Sequence, residues 1–352
     1  TFEELITALD EAGEVPSTII IGGDISLTDT VTIKRGQNIT LVDDGKARKI
    51  NVETKDSPDR PTAFEILEGG ALTIRTSTGD PQLLIIDGTN AACARSQNNT
   101  PLKNNGDIIS CHGSFSLESG TIQNNICEEG WSGTIVVSGP EAHMEMSGGL
   151  IRNNAYDDQF GGVIRVAFDG HLELKGGEIS NNDTMLDSDI NNATLWIEAG
   201  GNSSFTMSGG AITRNHGDFG GVFVGEPAYP DFQSIAVMEL TGGEISDNVA
   251  ERYGGGIMIC GQASVSMNGG TISGNRAMIG GGIAVYDLYL SMGNGQSFEL
   301  WQRYFPGEFN MNGGVISGNK AELRVGRETD SGCGGGLYVA SNQVVLNAGK
   351  IQ

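Results

Sequence analysis

At 352 residues the chain has room for two ordinary domains, but its 54 glycines come with little proline and no Gly-X-Y period, which excludes collagen. Acids outnumber bases 44 to 21, and the resulting charge of −23 opposes nucleic acid and anionic membrane surfaces as partners. The cysteines at 93, 111, 127, 260 and 333 lack the spacing of a metal site, and no apolar run reaches the length of a membrane span.

Residues 1–14 predict a helix. Thr1 and Glu4 make a capping box, Phe2, Leu5, Ile6 and Leu9 share one face, and Gly13 ends it. Such a helix reads as a cap over the open end of a repeat array. Strand-like steps then follow in irregular coils over 15–110: STIII, DISL, TVTI, NITL, AFEIL, ALTIR and LLIID, separated by turn residues.

From 111 to 352 the coils become regular. One twelve-residue phrase recurs: SFSLESGTIQNN, HMEMSGGLIRNN, HLELKGGEISNN, SFTMSGGAITRN, VMELTGGEISDN, SVSMNGGTISGN and EFNMNGGVISGN, ending at Asn125, Asn154, Asn182, Asn215, Asn248, Asn275 and Asn319. A shortened copy, QVVLNAGKIQ, closes the chain. Each phrase holds two period-two steps, and a third step such as GGVIRV (161–166), TLWIE (194–198) or GGGIAV (280–285) follows. Period two means strands, and repetition at this length means a solenoid. The expectation is a single all-β domain over 15–352, a right-handed parallel β-helix of three sheets with the helix 1–14 as its cap. The Gly pairs are expected at tight corners, and the terminal Asn residues in a left-handed conformation that stacks their amides into a ladder.

The alternating GG-x-I and I-x-x-N phrases over about 110–352 resemble those of secreted and cell-surface bacterial β-helix proteins with a pectin-lyase-like fold. These include polymorphic outer-membrane-type adhesins, whose F-x-x-N reads I-x-x-N here, and repeat-rich surface proteins of Gram-positive gut bacteria. The resemblance implies a secreted or cell-surface location, as part of a larger multidomain protein. The chain begins at Thr1 with neither Met nor signal peptide and so reads as trimmed.

Function is sought where the coils depart from scaffold. The first and second strands point polar residues outward. The third presents Val136, Arg165, Trp196, Phe223, Met258, Ala284 and Tyr338 in turn, a row of large side chains expected to face water. Two insertions, GEPAYPDFQ (225–233) and 287–308 with Tyr289, Phe298, Trp301, Tyr304 and Phe305, flank that face, and solenoid insertions gather on the binding side. Arg165, Trp196, Phe223, Tyr253, Trp301 and Tyr338 are thus the candidate substrate-binding residues for a glycan or polysaccharide.

The turn entering the third strand is acidic. Asp158 and Asp218, each close before Phe-Gly-Gly, are the candidate catalytic pair, with Asp157 and Glu251 as reserves. A glycosidase needs two carboxylates roughly 5–9 Å apart. The leading expectation is carbohydrate binding or adhesion. The alternative is a glycoside hydrolase similar to the β-helical lacto-N-biosidases, with a polysaccharide lyase behind it. No cofactor is expected; Ca²⁺ is conceivable, but the GGxGxDxUx motif for it is missing, and the sequence shows no metal-site pattern. His143 and His171, at equivalent positions, read as a surface stack rather than metal ligands.

Overall fold

The computed structural model describes the chain apart from residues 53–61, 90–105, 128–129, 157–160, 185–191, 226–233, 292–301, 323–331 and 342; for 288–291 and 302–305 it describes the backbone alone. The fold is the expected right-handed parallel β-helix. The chain visits three long sheets in a fixed cycle, one strand in each per coil, with short extra strands inserted between them from residue 126 onward. The first sheet runs from Ser17–Ile21 to Val344–Leu346, the second from Ile25–Leu27 to Lys350–Ile351, and the third from Val31–Ile33 to Leu337–Ala340, with 11, 11 and 10 strands.

Each coil exists because its inward side chains meet their equivalents one coil away. In the first sheet Phe115, Met144, Leu172, Phe205 and Met238 stack in register, and the second sheet carries an isoleucine column through Ile122, Ile151, Ile179, Ile212, Ile245, Ile272 and Ile316. These side chains are essentially solvent-free. At about 1.5–3 kcal/mol for each fully buried side chain, this stacking is the main stabilising term.

The Asn ladder is present. From Asn154 to Asn275, each Nδ2 donates to Oδ1 of the next ladder Asn at 2.9–3.2 Å and also to an isoleucine carbonyl in the coil before it. Asn319 extends the carbonyl bonds to Ile272. The left-handed backbone, however, falls one residue earlier than the sequence suggests: Asn124, Asn153, Asn181, Arg214, Asp247, Gly274 and Gly318 have φ of 53–67°. That residue makes the corner, and the ladder Asn is thereby aimed inward.

The Gly pair has two jobs. At Gly209 a Cβ would stand 2.3 Å from the Lys175 carbonyl oxygen of the coil below, whereas Gly210 has φ +73°. Close approach requires the first glycine and handedness the second.

The N-terminal helix spans Phe2–Ala12 with the expected capping box, and Leu5 and Leu9 are buried in the first coils while Phe2 and Ile6 pack beside them. Gln37 holds its end by donating to the Leu9 carbonyl at 2.8 Å. Cys111, Cys127 and Cys260 are buried, and burial pushes the Cys111 thiol up to about 12.

Candidate functional site

Beyond the three sheets, the segment after each ladder Asn forms a ladder of its own. Ile126–Cys127 pairs with Ala155–Tyr156, and His216–Phe219, Val249–Tyr253, Arg276–Ala277 and Lys320–Ala321 form a four-stranded parallel sheet. Single bridges at Asp183 join the two sets. The part of the acidic turn that carries Asp183, Asp218 and Glu251 is therefore a fourth face at the corner between the second and third sheets.

This corner folds over the outward row of the third sheet. Trp196 and Phe223 have no exposed surface, Met258 keeps 4 %, and they form a second apolar cluster with Ala193, Phe219, Cys260 and Ala284. Trp131, Tyr253 and Tyr286 pack against it at the margin. The expectation that this row faces water is thus corrected. Phe219 lies 4.8 Å from Phe223 and Trp131 lies 5.8 Å from Trp196, centroid to centroid. The Trp196 indole N–H donates to the Gly225 carbonyl at 3.0 Å. Trp196 and Phe223 are core residues and offer no ring face to a sugar.

Arg165 is also buried, at 5 % exposure, and its Nε donates to Glu198 at 2.8 Å. A second guanidinium nitrogen donates to the same carboxylate and a third to the Trp131 carbonyl. The rings of Trp131 and Phe168 lie 5.5 and 5.7 Å from its guanidinium carbon, within cation–π range. Burial raises the Glu198 carboxyl above its ordinary value, and the Arg165 charge offsets this only in part. Sequence reasoning missed Glu198 because nothing at position 198 marks it. The signal was Arg165 itself, a cation in an apolar row that requires a buried counter-charge.

Of the catalytic candidates, Asp157 and Asp158 lie outside the described residues, as does Trp301. Asp218 is 2 % exposed, and both its oxygens accept from the Arg252 guanidinium, which itself lies over the Phe219 ring. It anchors Arg252 instead of presenting a carboxylate to a substrate. Glu251 is half-buried and belongs to a three-residue chain along the corner: His216 Nδ1 is 3.0 Å from Asp183 and its Nε2 3.2 Å from Glu251, one carboxylate on the coil to either side. Burial alone would depress the His216 imidazole, but the two carboxylates outweigh it and raise it.

Next to this polar chain the aromatic cluster reaches its exposed edge. Tyr253, Tyr286 and Tyr338 come from three successive coils, each half-buried, with centroids 5.1 and 5.3 Å apart. Burial, followed by a hydrogen bond with Tyr338, pushes the Tyr286 phenol well above its ordinary value, so it stays protonated. The insertion at 287–308 springs from the end of this row. Its backbone begins and closes as a two-stranded antiparallel ladder, Leu288–Ser291 against Gln302–Phe305.

The fold and this ledge define a parallel β-helix with an aromatic-edged, charge-lined corner. No protein-family model matches the chain, and no curated protein or solved structure matches it significantly. Among the described residues no helix is long and apolar enough to cross a membrane.

Proposed function

We propose that the chain is a carbohydrate-engaging module of a secreted or cell-surface protein, binding a glycan along the corner ledge. The observation that carries this reading is the tyrosine row Tyr253, Tyr286, Tyr338 beside Arg252, Glu251, His216 and Asp183. Tyrosine faces pack on the apolar faces of sugar rings, while phenols, carboxylates and cations exchange hydrogen bonds with hydroxyls. Parallel strands are about 4.8 Å apart, so three coils span roughly the length of a disaccharide. A ledge lined by fixed, mutually paired charges suits recognition, since its hydrogen-bonding groups are already held in place.

The test is a glycan array on the full chain, followed by incubation of each hit and assay for released reducing sugar. Binding without release is expected. Tyr253→Ala and Tyr286→Ala should each weaken a hit at least tenfold with the fold intact by circular dichroism. Affinity unchanged in both variants would remove the ledge as the site, and released sugar would establish a glycoside hydrolase instead.

A further inference from the structure

On the opposite side of the coil, the exposed face of the first sheet repeats the phrase His-x-Glu in adjacent strands. His143–Met146 and His171–Leu174 pair in register, so His143 lies beside His171 and Glu145 beside Glu173. The imidazoles stack with centroids 5.2 Å apart and a 21° tilt, which is the surface stack expected from sequence. Alternation puts all four side chains on one surface, at the corners of a rectangle set by one strand spacing and two residues of rise, roughly 4.8 by 6.6 Å.

We propose that this rectangle binds a divalent transition cation of the Zn²⁺ type through His143, Glu145 and Glu173. One donor atom from each of the three lies within 4.8 Å of the others. Tetrahedral ligands on Zn²⁺ at about 2.0–2.2 Å stand roughly 3.3–3.5 Å apart, which staggered rotations of half-exposed side chains can reach. The His143 ring has no hydrogen-bond partner among the described residues. His171 is oriented by a 2.7 Å bond between Nδ1 and the Ser204 hydroxyl, which leaves Nε2 facing Glu173 at 3.6 Å.

A cation already marks the position. Lys175 Nζ lies 2.7 Å from Glu145 and 2.5 Å from Glu173, bridging the two carboxylates from one side. It is 46 % exposed, so it can swing into water at little cost, since exposed ion pairs contribute weakly. One imidazole and two carboxylates favour Zn²⁺ and its neighbours over Ca²⁺ or Mg²⁺, which prefer all-oxygen sites. The chain's charge of −23 attracts any cation, but among the described residues only this face brings one donor atom from each of three such side chains, an imidazole among them, within 4.8 Å of one another.

The measurement is calorimetric titration of the metal-free full chain with ZnCl₂ in a non-chelating buffer, with Co²⁺ absorption as a second readout of ligand type. One Zn²⁺ per chain is expected. His143→Ala and Glu173→Gln should each weaken binding at least tenfold, while Lys175→Met should tighten it by removing the competing ammonium. All three positions face solvent, so the variants should keep the wild-type melting temperature without metal. The proposal is overturned if wild-type protein takes up no Zn²⁺, or if both weakening variants bind it as wild type does, which would move the metal to other residues. None of these outcomes bears on the glycan ledge, which lies on another face.

Discussion

From Asn182 to Asn275 each ladder Asn uses its amide twice as donor and its carbonyl twice as acceptor, so removing one orphans groups on two neighbouring coils. Asn215→Ala should cost about 2–3 kcal/mol, the penalty for unsatisfied buried groups rather than the ~1 kcal/mol of one hydrogen bond; urea denaturation reads this directly. Asn215 was legible in the sequence because it recurs, but its conformation was not. The phrase places Asn last in every copy, and the left-handed residue before it varies among Asn, Arg, Asp and Gly, so composition gave no mark of the corner. His216 carries a different prediction. Its folded-state pKa is raised above the unfolded value of about 6.5. The stability contributed by the Asp183–His216–Glu251 chain is therefore fully present below pH 6.5 and lost as pH rises through the raised value. Thermal melts from pH 5.5 to 9 should fall along this window in the wild type, and His216→Gln should flatten the curve.

Among the elements, the third-sheet strands are where the reading from sequence went furthest astray. Strands of the first sheet, such as HMEM and HLEL, alternate cleanly between core and water. Gly162–Ala167 and Ala193–Glu198 are buried along their whole length. A strand covered on both faces reads as a nearly continuous apolar run, and Trp196 and Phe223 belong to such runs. Their covering corner could not be foreseen, because HGDF, VAERY and RA share no phrase, only a register imposed by the coils beneath. Arg165 and Glu198 test this burial. Arg165→Ala should cost about 3–5 kcal/mol by leaving a buried carboxylate uncompensated, whereas Arg165→Leu with Glu198→Leu should come within about 1 kcal/mol of wild type. Chemical denaturation of both variants separates a structural pair from one retained for ligand binding. If the double variant also binds glycan normally, Arg165 has no part in recognition.

For the whole molecule, stability is a sum over coils and the contacts between neighbours. The helix Phe2–Ala12 shields the first coil, so Leu9→Asp should expose strand edges and drive association, visible as a shift in mass by light scattering. The ladder bond from Asn275 to Asn319 is 2.9 Å although 44 positions separate them, while Asn248 and Asn275, 27 apart, are linked at 3.0 Å. The winding therefore takes no account of how much chain leaves between a third strand and the next first strand. Residues 287–306 occupy a splice point: a foreign segment could be exchanged there, or the native one remodelled over generations, while the spool on either side keeps its pitch.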